Sequence, residues 1–426
     1  MSDSSVSISG FDSFELHPSL MRGLRDASFD SPRPIQSATI PAALEGRDIL
    51  GLAQTGTGKT AAFALPILDS LLDDPAAGPI ALVLAPTREL AAQIDAEIRM
   101  LAKHTRITSV TIFGGVSARG QLDALRRQPH IIVGCPGRVL DLMQQGALRV
   151  DRIEMLVLDE ADHMFDMGFL PDLRRILARL PKDRQNLMFS ATMPTAIRSL
   201  ADEVLSNPLV VKLADHAPAE TIDHALYPVA EQRKRELLEH VLKGARGDSA
   251  IVFTRTKHRA RRLAQQLADS GHRAVGLQGN MSQGQRERAM RGFRDRQYDI
   301  LVATDIAARG IDVSSVSHVI NFDVPTTPEA YTHRVGRTGR SEREGKACTF
   351  VTSEDRAWVR ATERMIGKPI PRCCIAGFEG EVIEGGDGPA APKPRTGSQR
   401  PARSGARRDG RSRFEGARSS RRRVTR

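Results

Sequence analysis

Short apolar runs recur along the chain at the spacing of a layered α/β protein. In the first half they are Asp48–Leu52, Ile80–Ala85, Ser109–Phe113, Ile131–Val133, Met155–Leu158 and Leu187–Phe189. They are rich in Val, Ile and Leu and lack clean alternation with polar residues, which predicts strands covered on both faces. Segments of helical spacing, such as Arg88–Leu101 and Pro136–Gln144, lie between them. The expected architecture is therefore a parallel sheet with helices packed on it. The rhythm pauses over Asn207–Asp223, which holds Pro208, Pro218 and little periodicity. It restarts with Ala250–Thr254, Arg273–Leu277, Ile300–Ala303, Val319–Phe322 and Ala347–Val351, separated by helical stretches such as Lys257–Ser270 and Gln283–Arg294. Two α/β units of similar size are expected, with a joint near residue 215 and a cleft between them, a common place for a ligand.

The expected division is an N-terminal segment over 1–40, a first α/β domain over 41–213, a linker over 214–222, a second α/β domain over 223–380 and a tail over 381–426. A chain of 426 residues is too long for one ordinary domain, and a hydrophobic content of 40% is enough for real cores. The N-terminus lacks a basic, apolar signal peptide, and no run of 18 apolar residues occurs. A soluble, cytoplasmic protein with no membrane association is expected. Four cysteines, Cys135, Cys348, Cys373 and Cys374, do not have zinc-ligand spacing and read as isolated thiols of a reducing compartment.

Charge changes the picture at one end only. The net charge is +11, and residues 387–426 hold 13 Lys/Arg against 3 Asp/Glu, leaving the rest of the chain nearly neutral. That tail is rich in Arg, Gly, Ser and Pro and cannot bury enough apolar surface to fold, so it is expected to be disordered. It reads either as a solubilising end or as an arm that holds nucleic-acid phosphate without reading sequence; the density of arginine favours the arm.

The candidate chemistry begins at Ala53-Gln54-Thr55-Gly56-Thr57-Gly58-Lys59-Thr60, between a strand candidate and an Ala/Leu-rich helical stretch. A Gly-rich turn in that setting aims backbone N–H groups at phosphate oxygens at the positive end of a helix. Lys59 offers a charge for the terminal phosphates, and the Thr60 hydroxyl offers a ligand for Mg²⁺. A second acidic element follows at Met155-Leu156-Val157-Leu158-Asp159-Glu160-Ala161-Asp162. Taken alone, its acids could simply offset a helix dipole. Beside a phosphate-binding turn, Asp159 is expected to hold Mg²⁺, partly through water, and Glu160 to orient and deprotonate the attacking water.

With these residues in place, Asp159-Glu160-Ala161-Asp162 resembles the signature of the DEAD-box family of ATP-dependent RNA helicases. Other segments are similar to that family in order. Phe29-Asp30-Ser31-Pro32-Arg33-Pro34-Ile35-Gln36, with Phe11 upstream, resembles its adenine-recognising Q motif. Pro86-Thr87-Arg88-Glu89-Leu90, Gly114-Gly115 and Pro136-Gly137-Arg138 resemble RNA-backbone elements, and Ser190-Ala191-Thr192 the motif linking hydrolysis to strand separation. Ile251–Thr254, Gln283–Arg286, Ala303–Asp312 and His333–Arg340 complete the set. The compact core with a basic tail is most similar to the bacterial RhlE-type branch.

The resemblance implies two tandem RecA-like domains, ATP and Mg²⁺ as cofactors, and RNA as partner. It implies that Phe29 stacks on adenine while Gln36 pairs with it. Arg337 and Arg340 reach the phosphates as arginine fingers, with His333 beside them. Asp305 helps close the cleft and Asp312 lies near the ribose. Ser190 and Thr192 couple hydrolysis to unwinding, and Thr87, Arg88, Gly115, Arg138, Arg286 and Thr304 touch RNA. Local, non-processive unwinding of short duplexes is the expected activity, with an ATP-gated RNA clamp or chaperone as the alternative. Ribosomal precursors and RNA-decay complexes are compatible partners.

Five positions depart from the family pattern. Cys135 stands where Thr is usual, Gln278-Gly279-Asn280 replaces His-Gly-Asp, Arg33 replaces a small polar residue and Ser28 replaces Gly.

Overall fold

The computed structural model describes residues 10–53, 56–73, 78–213, 222–245, 247–305, 316–339 and 344–378. Gln54, Thr55, Asp312, Arg340, most of the expected linker and the basic tail lie outside the described residues. Two parallel sheets form, both within one compact unit, Met1–Gly385.

The first sheet has seven strands: β1 (Ile49–Leu52), β2 (Ala81–Leu84), β3 (Ser109–Ile112), β4 (Ile131–Gly134), β5 (Met155–Leu158), β6 (Gln185–Ser190) and β7 (Leu209–Lys212). Their order across the sheet is β3-β4-β2-β5-β6-β1-β7. Residues alternate between two cores: Ala81 and Val83 of β2 join one apolar cluster, Leu82 and Leu84 the other. That is the burial on both faces which an unalternating apolar run requires.

The second sheet has six strands: β8 (Ile222–Pro228), β9 (Ala250–Phe253), β10 (Ala274–Leu277), β11 (Ile300–Ala303), β12 (His318–Asn321) and β13 (Gly345–Val351). Their order is β10-β11-β9-β12-β13-β8, again between two apolar clusters. Helices Arg88–Leu101, Pro136–Gln144 and Gln283–Arg294 have the bounds the spacing predicts, and Lys257–Asp269 ends one residue early.

The stretch Asn207–Asp223, expected to be irregular, contains β7 and the start of β8. β7 sits at the sheet edge and exposes Val210, so it carries no buried run to read. β8 is interrupted by Asp223 and His224, yet pairs along its whole length with β13.

Candidate nucleotide and RNA site

The first sheet brings the acidic element to the Gly-rich turn. β5 and β1 are separated by β6 alone, and Asp159 follows directly on β5. The Asp159 N–H donates to Leu84 O at 3.0 Å, which fixes the acid at the carboxyl edge of the sheet. Lys59 opens the helix Lys59–Asp73; its Nζ lies 3.8 Å from Asp159 Oδ1 and donates to Ala53 O at 3.1 Å. Both charged groups are buried. Burial pushes the Asp159 carboxyl up, to about 6; Lys59 opposes this and the charge of Glu160 adds to it. The Asp159 carboxylate and the Thr60 hydroxyl are oxygen donors, the kind a hard divalent cation takes.

Glu160 has φ +53°, in the left-handed region, where a residue with a Cβ is strained by about 1 kcal/mol. This turn separates β5 from the helix Ala161–Asp166. The Glu160 carboxylate is buried and hydrogen-bonds His163 Nδ1 at 2.8 Å. Burial pushes Glu160 up, but His163, Lys59 and Arg337 together hold it well below the usual carboxylate range. Asp162 accepts from Thr192 N at 2.9 Å and Thr192 Oγ1 at 2.8 Å, and Ser190 Oγ donates to Thr192 O. Burial raises Asp162, and the net shift is downward through His163, His333 and that Thr192 bond.

The second lobe reaches this centre. His333 Nδ1 lies 2.8 Å from His163 Nε2, and His333 Nε2 is 3.9 Å from Asp162 Oδ2. Arg337 is buried and acts on the Glu160 charge. Acidic groups from one sheet and basic groups from the other therefore share one water-poor centre, where electrostatic interactions are strong.

At the Q motif the Gln36 amide meets partners within the protein. Gln36 is buried; its Oε1 accepts from Arg33 N at 2.8 Å and its Nε2 donates to Gly58 O at 3.0 Å. The amide thus ties the Q motif to the phosphate turn and satisfies the Arg33 N–H at the start of the helix Pro34–Leu44. Arg33, the unusual residue, donates to Gly56 O at 2.7 Å. Phe29 is half-buried and meets Phe11 edge-on at 6.0 Å. Ser28 keeps a glycine-like φ of +57°.

The expected RNA contacts divide into two groups. Gly115 is exposed, has φ +75°, and a Cβ there would come within 2.1 Å of the Arg88 guanidinium, so only glycine lets Arg88 lie against this loop. Arg138 has a buried Nη1 with no hydrogen-bond partner among the described residues, an open donor that suits an anionic oxygen. Thr87, Arg286 and Thr304 are buried. The Thr87 hydroxyl caps the helix Arg88–Leu101 by accepting from Leu90 N, and Arg286 is paired with Glu89 across the lobes at 2.7 Å. Asp305, expected at the cleft, takes a bidentate pair from Arg334 within the second lobe, at 2.5 and 2.8 Å.

Residues 33–200 match the family profile described as DEAD/DEAH box helicase, and residues 233–342 match Helicase conserved C-terminal domain. The RNA helicase CshA of Bacillus cereus is 42% identical over 371 residues, covering 87% of this chain and 70% of that protein. The chain belongs to the DEAD-box family of ATP-dependent RNA helicases. This DEAD-box helicase is also similar to S. cerevisiae Dbp5 bound to RNA and ADP BeF3, with a TM-score of 0.78, 33% identity, 86% of this chain and 95% of that one covered. Mss116 bound to ssRNA and UDP-BeF gives a TM-score of 0.79 at 27% identity, covering 88% of this chain and 80% of that one. Among the described residues of the helicase, no helix is long and apolar enough to cross a membrane.

Two residues of this helicase were not singled out by sequence. Glu89 lies inside a motif read for its Thr and Arg. His163 directly follows the acidic signature, and a titratable residue at that place is the one local signal that could have marked it.

Proposed function

We propose that this helicase binds ATP and single-stranded RNA together across its two lobes and uses the closed form to open short duplexes locally. The observation that carries the reading is the meeting of Glu160, Asp162 and His163 with His333 and Arg337. Here Lys59 contacts the terminal phosphates, and Gln54, Thr55, Gly56, Thr57 and Gly58 line them with backbone amides. Glu160 orients and deprotonates the attacking water. Mg²⁺ would be held by Asp159, partly through water, and by the Thr60 hydroxyl, and when bound it neutralises charge on the phosphate oxygens. Arg337 and Arg340 act as arginine fingers, a contribution of about 10³–10⁵ in rate. Phe29 and Gln36 serve the adenine, Gln36 by exchanging a protein partner for the base, and Asp312 the ribose.

Arg88, Gly115, Arg138 and Thr304 touch the RNA backbone, while Thr87 caps the helix that presents Arg88, Arg286 braces that helix through Glu89, and Asp305 holds Arg334 within the second lobe. Closure bends one strand in a way a duplex cannot follow, and ATP acts by favouring the closed state. The basic tail tethers the enzyme to nearby RNA. Placement in the RhlE-type branch, the domain limits 41–213 and 223–380, a cytoplasmic location, and work on ribosomal precursors or RNA-decay complexes belong to the same proposal.

The test is Glu160→Gln. ATP and RNA binding should persist while turnover nearly stops; near-normal turnover overturns the reading. Duplex release faster than passive dissociation separates unwinding from an ATP-gated clamp. Deletion after residue 380 should weaken RNA binding and flatten its salt dependence.

A further inference from the structure

His163 is buried on the short helix Ala161–Asp166, between the acidic turn of the first lobe and His333 of the second. Its two ring nitrogens face different lobes. Nδ1 lies 2.8 Å from Glu160 Oε2, and Nε2 lies 2.8 Å from His333 Nδ1, with the rings edge-on at 4.4 Å. An ionised carboxylate only accepts, so Nδ1 carries the proton that binds Glu160. One further proton lies between the two imidazoles. With both ends of the ring engaged, it can neither flip nor turn away.

Glu160 needs such a constraint. Its own backbone is strained, and Lys59 and Arg337 both attract its carboxylate. Either cation could draw it off the line to the water. The N–H of His163 holds it in one orientation. Half of what fixes His163 comes from the other lobe and is lost when the lobes part.

We infer that His163 is a positioning residue that makes the alignment of Glu160 conditional on cleft closure, because His333 locks the ring whose Nδ1–H orients the Glu160 carboxylate. Closure then does more than bring basic groups to the phosphates: it sets the geometry of the group acting on the water. This inference rests on the reading of Glu160 as that group.

Two near-isosteric variants of the full chain divide the bridge. In His163→Asn the amide Nδ2 overlays the imidazole Nδ1 and keeps the donor to Glu160, but nothing reaches His333. In His163→Gln the amide Nε2 overlays Nε2 and keeps the contact to His333, but the donor to Glu160 is gone. RNA-stimulated ATP hydrolysis is measured for both, with kcat and the RNA concentration for half-maximal rate as separate readouts. His163→Gln should lose about tenfold or more in kcat, the scale of one hydrogen bond to a charged group, with a smaller change in RNA requirement. His163→Asn should show the reverse balance, a rise of about threefold or more in the RNA requirement and a smaller loss of kcat. Equal losses in the two variants, or an undiminished kcat in His163→Gln, overturn the inference, because a merely structural role would not split the two readouts. Glu160→Gln measured alongside keeps the two readings apart. If that variant still turns over, the role of Glu160 fails; if it is inactive while the His163 variants do not split, the positioning role alone fails.

Discussion

Arg286 of the second lobe donates from Nε to Glu89 Oε1 of the first at 2.7 Å, and both side chains are nearly buried, at 10% and 12% exposure. Separation of the lobes must break this pair, so its energy belongs to the closed form. Removing one partner leaves a poorly solvated charge. Glu89→Ala and Arg286→Ala should each raise the RNA concentration needed for half-maximal ATPase. The reversed pair, Glu89→Arg with Arg286→Glu, should recover part of the loss, with a coupling of about 0.5–3 kcal/mol in a double-mutant cycle. Additive losses with no recovery would mean that Arg286 acts directly on RNA.

Cys135 occupies the N-cap of the helix Pro136–Gln144 and makes no side-chain cap bond there. Threonine offers a hydroxyl acceptor for an unpaired N–H of the first turn. Cys135→Thr should stabilise the protein by about 0.5–1 kcal/mol, read as a shift in urea midpoint. Burial, with Glu89 adding and Arg88 opposing, pushes the Cys135 thiol up to about 12. Native protein should therefore resist alkylation at Cys135 near neutral pH, while exposed Cys374 reacts.

Ser28 stands at φ +57° where the family pattern has glycine, and its side chain is exposed. Ser28→Gly should relieve strain of about 1 kcal/mol, partly offset by the greater freedom of glycine in the unfolded chain. Thermal melting of the variant at or slightly above wild type is expected. A clear fall would mean that the serine side chain makes a compensating contact.

The readable parts of the site are those whose chemistry needs contiguous residues. A backbone cradle for phosphate is a run of glycines before a lysine, and a strand ending in acids is a run of apolar residues before Asp159. Strands buried on both faces were equally plain. β7 was not, because Leu209–Lys212 alternates at a sheet edge, and β8 was not, because its apolar positions are filled out by pairing with distant Gly345–Val351. The choice of partner was hidden in the same way. Nothing near Gln36 indicates that its amide reaches Gly58, nothing near Asp305 that Arg334 claims it, and nothing near His163 that a ring 170 positions away meets it. Local sequence states what a side chain can offer; only the packed fold decides what takes the offer.

His224 on β8 extends this logic to acid stability. It is buried, hydrogen-bonded through Nδ1 to the Tyr331 hydroxyl at 2.8 Å, and its Nε2 has no partner among the described residues. Burial, with Lys368 adding and Asp223 opposing, lowers its pKa from 6.5 to about 4. Between those values the unfolded chain binds a proton that the native protein does not. The contribution of His224 is therefore intact above pH 6.5 and is lost as pH falls toward 4. From pH 7 to pH 5 that loss amounts to about 2 kcal/mol, at roughly 1.4 kcal/mol per unit. His224→Asn cannot titrate, and its Nδ2 overlays Nδ1 and retains the Tyr331 contact. Carboxylates titrate in both proteins, so the difference between their melting curves isolates this ring. The variant should lose less stability than wild type over the same pH interval, and parallel losses would place the acid sensitivity of the second lobe elsewhere.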